Sequence, residues 1–176
     1  SSLKQLGLDY IDLYLIHQPF GDYYGAWRAM ERLYREGAVR AIGVSNFLPH
    51  HLENLLEVCT GPPMVDQIEF HPGYVQWETV EFCRASQILV EAWSPLDRQR
   101  LADDPLLAEL AGKYGVSQAQ ICLRFALDCG VVPLPKSADA GRMRQNLALD
   151  FALEAEDLER LRTMPQTGWS GLHPDK

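Results

Sequence analysis

Five short apolar runs in this 176-residue chain end in side chains that can hold or polarise a ligand. The first run stops at His17-Gln18-Pro19, the second at Ser45-Asn46-Phe47, and the third at Gln67, Glu69 and His71-Pro72. The fourth stops at Trp93-Ser94-Pro95 and the fifth at Pro135-Lys136-Ser137. Each end offers a hydrogen-bond donor or acceptor, and four carry a nearby proline. An imidazole, amides, hydroxyls, an indole and an ammonium group suit recognition of a polar organic molecule. Packing alone does not explain a polar crown on five successive runs, so a ligand site is expected there.

Charge narrows the ligand. With 24 acidic and 16 basic residues the formal net charge is −8, and the isoelectric point is about 5.0. That balance disfavours nucleic acid and anionic membrane surfaces as partners. An anionic ligand would need a local basic cluster, and one is present. Lys136 and Ser137 leave the fifth run, Arg142 falls in the first turn of the next expected helix, and Arg144 follows. Helix N-terminal N–H groups together with Lys and Arg make an anion site. The four cysteines, Cys59, Cys83, Cys122 and Cys129, form no C-x-x-C pair and have no histidine at zinc-finger spacing. They are expected to be small buried thiols, and no metal site is expected. No apolar run approaches the roughly 18 residues of a membrane span. The opening residues lack a secretory apolar segment, so the cytoplasm is the expected compartment.

The elements that position the crown follow from the hydrophobic pattern. The expected strands are Ile11 to Ile16, Val39 to Val44, Met64 to Phe70, Ile88 to Trp93 and Val131 to Leu134, apolar runs bounded by turn residues. Helical spacing separates them. Ala26, Trp27, Met30, Leu33 and Tyr34 run to Gly37, and Leu52, Leu55, Leu56 and Cys59 precede Gly61-Pro62-Pro63. Ser117 can cap a helix carrying Ile121, Cys122, Phe125, Ala126 and Cys129 and ending at Gly130. Leu158, Leu161 and Met164 stripe a last helix before Pro165. Strand–helix alternation with crossover-length connections predicts an α/β fold with a parallel sheet. No composition break, linker or repeat divides residues 1–176, which are read as a single domain. In such folds ligands meet the carboxyl ends of the strands, where the crown lies.

The motifs Leu13-Tyr14-Leu15-Ile16-His17-Gln18-Pro19, Ala41-Ile42-Gly43-Val44-Ser45-Asn46-Phe47, Gln67-Ile68-Glu69-Phe70-His71-Pro72, Glu91-Ala92-Trp93-Ser94-Pro95-Leu96 and Pro135-Lys136-Ser137 resemble the aldo-keto reductase family in order and spacing. The resemblance runs over nearly the whole chain. It implies a parallel (β/α) barrel of TIM type, present as a partial barrel of about five βα units. It also implies NADPH as cofactor, bound without a Rossmann fingerprint, and hydride transfer to aldehydes and ketones. None of the 13 glycines forms G-x-G-x-x-G. By resemblance His17 is the catalytic imidazole, whose N–H orients and polarises a small-molecule carbonyl. Ser45, Asn46 and Gln67 match positions on the nicotinamide carboxamide, and Trp93 matches the aromatic residue stacked on that ring. Ser94 and Leu96 match the pyrophosphate lining. Lys136, Ser137 and Arg142 match the holders of the 2′-phosphate, and Gln145 and Asn146 lie near the adenine.

A full barrel of this type needs roughly 250 residues and eight strands. The chain resembles strands four to eight, so the Tyr, Lys and Asp of the family's active site have no counterpart among these residues. Tyr23 and Tyr24 match no acid motif. The expectation is a truncated enzyme, inactive alone. The alternative is a non-catalytic nucleotide-binding or self-associating half-barrel, with self-association through open sheet edges. Asp97 stands where the family commonly has glycine. A carboxylate there would oppose a pyrophosphate, with Arg98 and Arg100 available to offset it.

Overall fold

The computed structural model describes residues 2–171 and 173–175. Its strands are β1 (Ile11–Ile16), β2 (Val39–Ser45), β3 (Val65–Glu69), β4 (Leu89–Trp93) and β5 (Val132–Pro133). They form one sheet in the order β1-β2-β3-β4-β5. The helices are α1 (Ser2–Leu6), α2 (Tyr23–Arg35), α3 (Pro49–Val58), α4 (Trp77–Ala85), α5 (Pro105–Tyr114), α6 (Gln118–Asp128), α7 (Ala140–Leu147) and α8 (Ala155–Arg162). A 3-10 turn covers Asp97–Gln99. This is the parallel α/β alternation expected, with a strand in each of the five apolar runs. The fifth strand is only two residues long, and Pro133 lacks the N–H that would extend its ladder. The spacing argument did not identify α1, α4 or α5, and of these α4 and α5 are the longer. The last of the three carried a legible signal in Asp104-Pro105, an N-cap followed by proline at the first helical position.

The chain packs as two compact units. One comprises the described residues within 1–68, 78–90 and 173–176. In it β1 and β2 run parallel from Ile11↔Val39 to Ile16↔Val44, and β2 meets β3 at Val44↔Asp66 and Ser45↔Gln67. Asp22 caps α2 by accepting the Gly25 N–H, and Gly37 closes the following turn at φ +75°. The core holds Trp27, Ile42, Phe47, Leu52, Leu55 and Ile68. Gly43 is required by contact rather than by turn geometry. A Cβ there would stand 2.5 Å from the Val65 carbonyl oxygen and 2.8 Å from Leu15 Cδ2.

The other unit comprises the described residues within 69–77 and 91–172. In it β4 pairs with β5 at Glu91↔Val132 and Ala92↔Pro133, in parallel. Ser117 and Gln120 form a reciprocal capping box at the start of α6. That helix buries Phe125 against Phe70, the rings stacked 5.7 Å apart. Across the two units Cys83, Cys122 and Cys129 are buried as expected, whereas Cys59 is half-buried. Among the described residues no helix is long and apolar enough to cross a membrane.

Candidate functional site

In the first unit the expected residues gather at the carboxyl ends of β1, β2 and β3. Ser45 is buried, and its hydroxyl donates to the Gln67 carbonyl at 2.7 Å. Asn46 adopts a left-handed φ of +61°, a conformation asparagine tolerates better than most residues. That turn lets its N–H reach the Gln67 carbonyl at 3.0 Å while its Nδ2 donates to the His17 carbonyl at 3.2 Å. His17 itself is exposed at the end of β1. One hydrogen-bonded set therefore joins His17, Ser45, Asn46 and Gln67.

Beneath this set Asp66 is fully buried. Burial pushes its carboxyl well above the usual range, and the Phe47 N–H and the Cys83 thiol offset only part of that. The Cys83 Sγ lies 3.9 Å from Asp66 Oδ2. The hydroxyl of Tyr23 donates to that of Tyr24 at 2.9 Å. Burial, helped by the Tyr24 hydroxyl, pushes the Tyr23 phenol up to about 12. A cavity of about 360 Å³ also opens in this unit, lined by residues that include Tyr34, Ile42, Pro63 and Met64. It lies at the amino end of β3 and holds none of the expected site residues.

In the second unit a cavity of about 290 Å³ sits at the carboxyl ends of β4 and β5. It is lined by Ser94, Pro95, Leu96, Arg98, Leu134, Pro135 and Lys136, so it brings together three of the expected residues. Arg98 was not expected as a wall residue. Its Nε donates to Ser94 Oγ at 3.5 Å, and its guanidinium lies 5.8 Å from the Trp93 ring centroid. The Trp93 ring is half-buried and meets Trp169 edge-on, with centroids 5.8 Å apart. Ser94, Asp97 and Arg98 all take positive φ, between +47° and +48°. Three non-glycine residues in the left-handed region within five positions mark a turn that its surroundings hold in place.

The remaining expected residues stand on or just before α7. Ser137 Oγ accepts the Asp139 N–H at 3.1 Å, and Asp139 caps α7 by accepting the Arg142 N–H at 2.7 Å. The Arg142 and Gly141 N–H groups hold the exposed Asp139 carboxyl below its ordinary range. An anion here would therefore rest on the Lys136 and Arg142 side chains rather than on those amides. Arg142 and Gln145 are exposed and Asn146 is half-buried, and none of the three lines the cavity.

Asp97 does not face the cavity. It is fully buried, its Oδ1 accepting from Arg100 Nε at 2.7 Å and its Oδ2 accepting from Thr167 Oγ1 at 3.2 Å. His71 Nε2 stands 3.3 Å from Asp97 Oδ1 and 3.4 Å from Glu69 Oε1. The carboxylate expected to oppose a pyrophosphate is thus turned inward, away from the cavity, by the left-handed turn. The Glu69-x-His71 spacing was visible in the sequence. Nothing local to Asp97 marked it as their partner.

Residues 1–164 match the family model described as the Aldo/keto reductase family. The glyoxal reductase of Bacillus subtilis (strain 168) is 46% identical over 177 residues, covering 99% of this chain and 64% of that protein. Methylglyoxal reductase DkgA of Escherichia coli (strain K12) is 39% identical over 181 residues, covering 99% and 66%. Among solved structures, the aldo-keto reductase AKR2E4 of Bombyx mori in complex with NADP aligns with a TM-score of 0.86. The identity there is 38%, over 92% of this chain and 59% of that one. This chain thus spans less than two thirds of the length of the glyoxal reductase.

Proposed function

Because this chain belongs to the aldo/keto reductase family, we propose that it carries the cofactor wall and the catalytic histidine of an NADPH-dependent reductase of aldehydes and ketones. The reading treats residues 1–176 as one domain and a small carbonyl compound as its substrate. Relatives named for glyoxal and methylglyoxal favour short 2-oxoaldehydes.

The observation that carries the reading is the cavity lined by Ser94, Leu96, Arg98 and Lys136 at the ends of β4 and β5. Two cationic side chains and a hydroxyl there suit a diphosphate in a chain of net charge −8. Lys136, Ser137 and Arg142 would hold the 2′-phosphate, with Gln145 and Asn146 toward the adenine. Ser45 spends its proton on Gln67, so its oxygen remains an acceptor for a carboxamide N–H. Gln67 and Asn46 would complete recognition of that amide, and Trp93 would cover one face of the nicotinamide. When bound, NADPH supplies the hydride. His17 acts on the other reactant, its ring N–H orienting the carbonyl oxygen where negative charge develops. Tyr23 and Tyr24 match no acid motif, so no proton donor is assigned to them. The 176-residue polypeptide is therefore expected to bind cofactor without robust turnover, and rapid NADPH oxidation by it with a simple aldehyde would contradict that.

Tryptophan fluorescence tests the binding. Saturable quenching by NADPH, weaker with NADH, is expected, and Lys136→Ala should weaken the NADPH response roughly tenfold. No saturable change with either nucleotide would refute the reading.

A further inference from the structure

We propose that buried Glu69, His71 and Asp97, capped by the exposed Arg100, form a clasp that positions the Trp93 ring. It does so by pinning residues 167–170 on one side and the Ser94–Arg98 turn on the other. The proposal rests on the NADPH reading for its purpose, since Trp93 is the residue assigned to the nicotinamide, but its geometry stands apart from that reading.

Glu69, His71 and Asp97 are each wholly buried. Two carboxylates without water need cations and donors around them. Arg100 supplies the charge, bonding Asp97 through both Nε and Nη2, with Nη2 also 3.7 Å from Glu69 Oε1. His71 Nε2 bridges both carboxylates. Arg100 pairs with both carboxylates and offsets their charge, so the cluster is not an open cation site, although His71 Nδ1 is buried without a hydrogen-bond partner.

The other hydrogen bonds of these carboxylates and of Arg100 go largely to residues 167–170. Ser170 donates to Glu69 twice, through its N–H at 2.9 Å and through its hydroxyl. Arg100 donates to the Thr167 and Gly168 carbonyls at 3.5 and 3.2 Å, and Thr167 Oγ1 reaches Asp97. Burial alone would push the Glu69 carboxyl up, yet the bonds from His71 and Ser170 outweigh it and hold the group below its ordinary value. The segment so held lies against Trp93. Trp169 meets the ring edge-on, and a Cβ on Gly171 would stand 3.3 Å from Trp93 Cη2. On the other side Arg98 links Ser94 Oγ to the Ser170 carbonyl over the same ring. Asp97 begins the 3-10 turn at φ +48°, so its bonds hold the turn in its left-handed conformation. The four residues are positioning residues: they do not line the cavity, but they fix both flanks of the ring beside it.

The test uses Asp97→Asn, which keeps the shape and removes the charge, and Ser170→Ala, which removes one hydroxyl from the half-buried segment and leaves the core intact. The near-UV circular dichroism of the Trp93–Trp169 pair, assigned with Trp169→Phe, reads the ring without any cofactor. Fluorescence titration reads NADPH. The expected result is loss of at least half of the paired tryptophan signal in both variants, with far-UV spectra unchanged. The NADPH Kd should rise about tenfold, the scale of one buried charge-assisted hydrogen bond. Lys136→Ala should raise the Kd and leave the tryptophan signal alone. An unchanged tryptophan signal in both variants would overturn the clasp, as would a lost signal with a wild-type Kd. A wild-type chain that binds no NADPH would overturn the cofactor reading instead, and the tryptophan signal would still decide the clasp.

Discussion

Asp66 gives the sharpest physical prediction. Its carboxyl is buried under the Ser45–Phe47 turn, and burial raises its pKa well above the ordinary 3.8. The folded state therefore holds the Asp66 proton more tightly than the unfolded chain does. Its contribution to stability is fully present below about pH 3.8 and drains away as pH rises through the folded-state value. Within that window one proton separates the two states, so the loss is about 1.4 kcal/mol per pH unit. Asp66→Asn keeps an oxygen for the Phe47 N–H and cannot ionise, so it has no such slope. Urea unfolding followed by far-UV circular dichroism, on both proteins from pH 4 to 7, isolates the term, because the other titrating groups are common to the pair. The variant should gain on the wild type steadily from just above pH 4. Asp66→Ala, which orphans the Phe47 N–H, should instead lose about 1–3 kcal/mol at pH 4. A wild-type-minus-asparagine difference that stays flat across the whole range would mean that Asp66 ionises as if it were in water. The buried-acid argument would then be wrong.

Two further substitutions probe the scaffold by urea or thermal unfolding. Gly43→Ala places a methyl 2.5 Å from the Val65 carbonyl oxygen, between β2 and β3, and should cost about 1–3 kcal/mol; a neutral result would mean that the strands can part without penalty. Ser117→Ala breaks the capping box of α6 and should cost about 1 kcal/mol, with Ser117→Asp recovering most of it.

Much of the fold was legible because its signals are local. Apolar β-branched runs ending in turn residues place all five strands, and Ser117 and Gly130 bracket α6 through cap chemistry that acts within a few residues. Three helices escaped, and the first, α1, is only five residues long, too short to show a period. In α4 Trp77, Val80 and Cys83 fall three apart, but over nine residues this is little more than two turns, and no cap marks either end among the described residues. In α5 the period is present, but it starts at Asp104-Pro105, a pair equally at home in a turn. The site divides in the same way. Ser45, Asn46 and Gln67 lie at adjoining register positions of neighbouring strands, so the strand assignment brings them together. Arg98 joins the wall only because the chain turns left-handed at Ser94, Asp97 and Arg98, which no periodicity encodes.

Asp97 shows what such a turn changes. Counted along the chain it is one more negative charge beside an expected diphosphate, two residues after Pro95, and the field argument makes it unfavourable. The fold turns the same carboxylate inward, onto Arg100, Thr167 and His71, and leaves Arg98 and Lys136 as the charges on the cavity wall. Glycine would take the turn at less conformational cost, but it could not anchor Arg100. An aspartate therefore persists here at a local cost because it is bonded on every side. The sign of a charge near a site is readable from sequence, but its direction is not. At this position the direction decides whether the residue repels the ligand or builds its wall.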